Sequence, residues 1–165
     1  MGFCRALRVE DRILVSGTAP IDEEWRPHAP GNVGEQARRC FEIAQRAVEE
    51  LGGSLAGAVR TRMYLTPEAD WQAVADAHAA FFGSVRPVAT AVRVAALLNP
   101  AWEVEIEVEV DVRSTPAGSH KKAASAPACN TYRRYEGRRG SRPNSSAALL
   151  KKMSSICDRS SSARR

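Results

Sequence analysis

From Trp102 to Arg113 the chain reads Trp-Glu-Val-Glu-Ile-Glu-Val-Glu-Val-Asp-Val-Arg, a strict alternation of acidic and β-branched residues. Successive side chains of an extended chain point to opposite faces, so this pattern fits a strand and not a helix. Val104, Ile106, Val108, Val110 and Val112 share an apolar face suited to a core, while Glu103, Glu105, Glu107, Glu109 and Asp111 share the other. Neighbours on one face lie roughly 6.6–7 Å apart along a strand, so five ionised carboxylates in file repel one another. Such a row needs cations opposite it, partial desolvation, or a use for one of its acids. Arg8, Arg60, Arg62 and Arg93 fall on other strand-like segments and are the expected cross-strand partners for most of the row.

The segments before this strand have readable limits. Residues 6–9 and 12–16 are two short strands joined by the tight turn Glu10-Asp11. Residues 17–31 hold Pro20, Pro27 and Pro30 and are expected to form an irregular loop. Asn32 can cap a helix over about residues 34–51, which Gly52-Gly53 ends in the left-handed manner. Ala37, Cys40, Phe41, Ala44, Ala47, Val48 and Leu51 give that helix one apolar stripe. Residues 59–65 form a third strand. A second helix is expected to start with Thr66 as cap and Pro67 at its first position, to carry Trp71, Val74, Ala77, His78, Phe81 and Phe82, and to stop at Gly83. Residues 90–98 and 103–113 are the last strands, joined by the Asn99-Pro100 turn. The order ββαβαββ defines an α+β domain with both helices on one face of the sheet. The other face, lined with charge, is expected to meet another subunit or a channel.

Charge divides the chain near Ser114. Residues 1–113 carry 12 Arg, no Lys and 17 acids, a net −5; residues 114–165 carry 8 Arg, 4 Lys and 2 acids, a net +10. The overall +5 therefore belongs to the tail, and the domain is not a basic nucleic-acid binder. The tail has 11 Ser against 3 in the preceding residues and few large apolar groups, so it is expected to be disordered. Its basic and aromatic stretch at 132–142 offers the one route expected to nucleic acid, by stacking on single-stranded RNA or by binding acidic surfaces. The expected domains are thus 1–113 and 114–165.

No apolar run approaches a membrane span and the N-terminus has no signal-peptide core, so a cytoplasmic protein without membrane contact is expected. Cys4, Cys40, Cys129 and Cys157 lack paired spacing, and His28, His78 and His120 are scattered, which argues against a zinc site and any metal. Cys4 and Cys40 read as buried free thiols of a reducing compartment. Ser16 and His78 do not form a nucleophile elbow, since no G-x-S-x-G is present and His78 falls on a helical stripe. Gly52-Gly53 is a helix cap and not a phosphate loop.

Several blocks in this order resemble the Rid (YjgF) family of enamine and imine deaminases. They are Ile13-Leu14-Val15-Ser16-Gly17-Thr18-Ala19-Pro20, Gln36-Ala37-Arg38-Arg39-Cys40, Val59-Arg60-Thr61-Arg62-Met63-Tyr64-Leu65, Arg86-Pro87-Val88-Ala89-Thr90-Ala91-Val92-Arg93-Val94 and Val104-Glu105-Ile106-Glu107. The likeness spans about residues 3–113. It implies a chorismate-mutase-like fold, a homotrimer with clefts between subunits, a small-molecule substrate and hydrolysis without a cofactor. It also implies that Glu105 holds the attacking water, that Ser16 and Gly17 shape the cleft floor, and that the backbone of Ala91 meets the substrate nitrogen. Phe3 matches the cleft-closing ring without its hydroxyl. The family's carboxylate-binding arginine falls on Ala89, so this chain belongs to an Arg-lacking subgroup, in which Arg62 or Arg93 is the candidate replacement. A non-catalytic, trimeric small-molecule-binding or regulatory protein is the alternative.

Overall fold

A computed structural model describes residues 2–113, and the expected disorder of the tail lies outside those residues. Five strands form one sheet: β1 (Ala6–Val9), β2 (Arg12–Thr18), β3 (Ala58–Leu65), β4 (Val88–Arg93) and β5 (Val104–Asp111). Helix α1 (Val33–Glu50) crosses from β2 to β3, and α2 (Trp71–Phe82) crosses from β3 to β4. A single 3₁₀ turn, Leu55–Gly57, leads into β3. The strand order is β1-β2-β5-β3-β4, with only the β3–β4 pair parallel. The acidic strand β5 is therefore central. β4 and β5 are not hairpin neighbours, because β3 lies between them.

The alternation in β5 resolves as read. Val104, Ile106, Val108 and Val110 are buried, and the acids between them are half-buried on the open face. Ile13 and Val15 of β2 and Met63 and Leu65 of β3 extend the buried layer. Helix α1 lays Ala37, Cys40, Phe41, Ala44 and Val48 on it. Fully buried Phe41 alone is worth about 3–5 kcal/mol against truncation to alanine. Helix α2 adds Val74, Ala77 and Phe82 to the same core. His78 of α2 reaches Thr61 of β3 at 3.0 Å, which puts both helices on one face.

Asn32 caps α1 through its side chain, which accepts from Glu35 N at 3.2 Å. Gly52, at φ +76°, closes the helix by donating to the Glu49 carbonyl. The start of α2 differs from expectation: its cap is Asp70, which accepts from Gln72 N at 2.9 Å, and not Thr66. Residues 66–69 form a separate turn closed by Ala69 N on the Thr66 carbonyl. The Arg93 guanidinium donates to the carbonyls of Thr66 and Pro67, so these groups are drawn away from a helical ladder. Strand β4 runs earlier than the expected 90–98. It pairs only with β3, and Val94 N on the Leu65 carbonyl is the last link where that partner ends. Strand β2 continues through Gly17 to Thr18, past the expected residue 16, by means of a bulge. Cys40 is buried, but Cys4 is exposed, since it precedes β1 and lies outside the layer that α1 covers.

Candidate functional site

The open face is assembled by register. Opposed residues in a ladder share a face, so Arg60, Arg62 and Tyr64 of β3 stand beside Glu109, Glu107 and Glu105 of β5. Strand β2 brings Arg12 beside Asp111 and Leu14 beside Glu109. Glu109 takes Arg12 at 3.0 Å, Arg62 at 3.3 Å and Arg60 at 3.7 Å. Glu107 takes Arg62 at 2.9 Å. Asp111 pairs with Arg113 at 3.2 Å, and that hydrogen-bonded guanidinium holds its carboxyl below the usual range. Among the described residues, Glu105 is the one carboxylate of β5 without an ion pair.

Two expected partners of the row stand elsewhere. Arg8 is opposed to Ile13, which points into the helix-side core, so its side chain leaves on that face. It donates to the Leu51 carbonyl at 2.8 Å and the Glu10 carbonyl at 3.0 Å, closing the end of α1. Arg93 is opposed to Leu65, also on the helix side, and its bonds go to the 66–67 turn. Arg12 is a partner of the row that sequence reasoning missed. Its spacing of four residues from Arg8 hides the opposite parity that the Glu10-Asp11 turn imposes.

Glu105 is half-buried against the β2 bulge. The register between β2 and β5 shifts between Val15 and Thr18, so Ser16 and Gly17 meet the strand out of step. A Cβ on Gly17 would lie 2.2 Å from Glu105 Oε1; only the missing side chain lets the carboxylate rest there. Burial raises the Glu105 pKa, and the neighbouring Glu107 charge raises it further, while Arg5 opposes both. The like-charge neighbour is thus Glu107; Glu103 precedes β5 and has its backbone fixed by Gln36, whose Oε1 accepts from Glu103 N at 2.8 Å. Tyr64 stands opposite Glu105, and its own pKa is raised by burial first and then by Glu107.

Of the other expected site residues, Gly17 lies against Glu105, and Ser16 precedes it in the bulge. The Ser16 hydroxyl donates to the Arg5 carbonyl at 3.0 Å. Arg62 lies on the same face but is engaged by Glu107 and Glu109. Phe3 is 68% exposed ahead of β1. Ala89, Ala91 and Arg93 are opposed to Thr61, Met63 and Leu65, which places them on the helix side of edge strand β4. Within one chain, therefore, they do not join Glu105. Arg5 was missed by sequence reasoning, although the alternation Phe3, Arg5, Leu7 puts it on the open face. Its Nη1 donates to the Gly17 carbonyl at 3.2 Å and to Thr18 Oγ1 at 3.4 Å.

His78 has no part in this arrangement. It stacks among Phe41 and Phe82 on the other side of the sheet, and burial lowers its pKa so that it stays neutral. No helix among the described residues is long and apolar enough to cross a membrane.

Residues 1–112 match the family described as Endoribonuclease L-PSP. An uncharacterized protein of Streptomyces coelicolor is 35% identical over 108 residues, covering 66% of this chain and 80% of that one. The 3-aminoacrylate deaminase RutC of Acinetobacter baylyi is 29% identical over 104 residues, covering 63% and 82%. A crystal structure from Mycobacterium tuberculosis, of a YjgF/YER057c/UK114 family member, superposes with a TM-score of 0.59 at 34% identity, over 67% of this chain and 86% of that one. With the same sheet, the same two helices and a profile match over the whole described domain, this chain belongs to the Endoribonuclease L-PSP family, known also as the YjgF or Rid family.

Proposed function

We propose that this protein is a cofactor-independent hydrolase of reactive enamines or imines, a deaminase in which Glu105 handles water. The observation that carries the reading is the isolation of Glu105. Its neighbours on β5 are neutralised by arginines, whereas Glu105 is half-buried, unpaired among the described residues and raised in pKa. A half-buried carboxyl whose pKa is raised by burial and by a like charge is suited to take up and return a proton. The relative named 3-aminoacrylate deaminase acts, by that name, on an enamine, which supports the same reaction class here.

An imine carbon is already electrophilic, so the protein has only to place water and move protons. Ionised Glu105 takes a proton from water as the water oxygen bonds to the imine carbon and the C=N π pair moves to nitrogen. The same carboxyl then returns the proton to nitrogen. Glu105 then passes the carbinolamine's hydroxyl proton to nitrogen, so the carbonyl forms as the C–N bond breaks and ammonia leaves.

The reading includes a homotrimer formed by the 1–113 domain, with the site at the subunit boundary. Its support is the open sheet face, where Leu7, Leu14, Val88 and Val92 are all more than 40% exposed beside the charged row. Ala89, on the far face within one chain, would then meet Glu105 of a neighbour. Ala89 also favours the second reading, a trimeric binding or regulatory protein without turnover, because no cation stands at that position.

One assay separates the two: imines generated in situ by an amino-acid oxidase, with ketone and ammonia release followed for the wild type and Glu105→Gln. Wild-type acceleration lost in the variant is expected. Equal rates in both, or no acceleration over the buffer while a metabolite still binds, would sink the hydrolase in favour of the binder. Light scattering that found a monomer at micromolar concentration would remove the interface site.

A further inference from the structure

Five arginines reach the acidic row, and four of them are engaged by acids: Arg12, Arg60 and Arg62 pair with Glu107 or Glu109, and Arg113 pairs with Asp111. Arg5 is the exception. Among the described residues it makes no ion pair, yet it is half-buried. Its carbonyl accepts from both Ser16 N and Ser16 Oγ, each at 3.0 Å. Its Nη1 is held by the Gly17 carbonyl and Thr18 Oγ1, and Thr18, itself fully buried, donates onward to the Ser16 carbonyl at 2.9 Å. Backbone and side chain of Arg5 are thus pinned to the same three-residue bulge that receives Glu105.

These bonds occupy Nη1 and leave the Nε–Nη2 edge without a partner among the described residues. That edge is the side-on fork which matches a carboxylate in two parallel hydrogen bonds. Glu105 Oε1 packs on the Cα side of Gly17, and Arg5 Nη1 bonds its carbonyl. Ordinary bond lengths between those contacts bound the separation of the two groups at about 10 Å. A small acid with a reactive carbon near its carboxylate spans such a gap. Glu107 is already paired with Arg62, so an anion entering beside ionised Glu105 needs a cation of its own, and no charge comes from Ala89.

We propose that Arg5 is the anion-binding residue of the Glu105 site, holding a carboxylate of the substrate by its free guanidinium edge. The inference rests on the hydrolase reading for the reaction, but the anion site is a claim about binding alone.

The test is equilibrium binding of pyruvate and of acetone, a ketone without the carboxylate, to the full chain by calorimetry or ligand-observed NMR. Pyruvate binding to the wild type is expected to weaken about 30-fold in Arg5→Gln, the loss of one charge-assisted pair. Arg5→Lys, which keeps the charge and loses the fork, is expected to fall between. Acetone should bind all three alike, and a near-ultraviolet circular dichroism spectrum equal to the wild type establishes that the variants fold. Undiminished pyruvate binding in Arg5→Gln, or none in the wild type, overturns the inference. A change confined to kcat and its pH profile, with KM for the carboxylate substrate unmoved, overturns it too and leaves Arg5 as a residue that tunes Glu105. The two readings fail separately. Pyruvate held through Arg5 with no imine turned over defeats the hydrolase and keeps the anion site. Glu105-dependent turnover with Arg5→Gln binding pyruvate normally does the reverse.

Discussion

Gly17→Ala adds one methyl group where Glu105 rests. The new Cβ would lie 2.2 Å from Oε1, 3.3 Å from Cδ and 3.8 Å from Cγ of Glu105. Unbonded carbon atoms settle at about 3.5–4.0 Å, and oxygen somewhat closer, so the carboxylate must withdraw by about 1 Å. Gly17 is not in the left-handed region, so alanine takes its backbone without strain. The obstructed group is also the far end of a half-exposed side chain, which can swing outward. The cost to stability is therefore small, and the loss of backbone freedom in the unfolded chain offsets about 0.4–1 kcal/mol of it. A catalytic group displaced by 1 Å, in contrast, costs about 100-fold in rate. The expected outcome is kcat down by about two orders of magnitude with a melting temperature within about 4–8 °C of the wild type, the span of 1 kcal/mol in a domain of this size. Imine hydrolysis and thermal melts on the same preparation measure both. Wild-type turnover in Gly17→Ala beside a silent Glu105→Gln would refute the placement of the catalytic carboxylate. Gly53→Ala is the contrasting control: its Cβ would lie 2.5 Å from Ile13 Cδ1 and 3.0 Å from Val48 Cγ1, inside the core, so it should lower the melting temperature instead.

Glu105→Gln should stabilise the fold at neutral pH. The folded-state pKa of Glu105 is raised, by burial first, so the folded chain holds its proton more tightly than the unfolded one; stability falls as pH climbs through that interval, and the gain from glutamine should vanish in melts run at acid pH. Glu107→Gln removes the like charge that raises Glu105, so the acid limb of the pH–rate profile should move to lower pH. Arg62→Met leaves Glu107 and Glu109 facing each other and should cost about 1 kcal/mol in denaturant titrations at low salt, less at high salt. Thr61→Val strips the half-buried His78 of its partner and should cost about 1 kcal/mol without changing imine turnover. A chain ending at Arg113 should melt like the full chain, and a large fall would show that the tail packs on the domain.

What the sequence disclosed was what local spacing determines. The alternation in β5 and the stripe on α1 need no knowledge of partners, and both resolve as written. The errors fall where a distant group decides. Thr66-Pro67 looks like a helix start until Arg93, 26 residues on, takes the carbonyls that a helix would use. Arg8 and Arg93 look like partners for the acids until the register sets them opposite Ile13 and Leu65. Glu105 was singled out by family likeness, but nothing local disclosed that Gly17 makes room for it. That contact depends on a bulge, whose one mark in the sequence is Gly17 inside the strand.

The same bulge explains why one acid of the row differs from the rest. Strand β3 supplies Arg60 and Arg62 at alternate positions and then Tyr64, so cations reach Glu109 and Glu107 and stop one step short of Glu105. On the other side β2 supplies Arg12 and then Leu14, after which Gly17 gives Glu105 space but no charge. Had either strand continued its alternation with a cation, Glu105 would be paired and its pKa would sit low, useless for accepting a proton near neutrality. Leaving it unpaired costs the fold some stability, and that cost is what a neutral glutamine is expected to recover. The one cation that approaches, Arg5, is anchored to the bulge rather than to the carboxylate, so Glu105 keeps its raised pKa while a positive edge stays open beside it. A base and an anion-binding site can coexist at this end of the sheet only because their charges are not spent on each other.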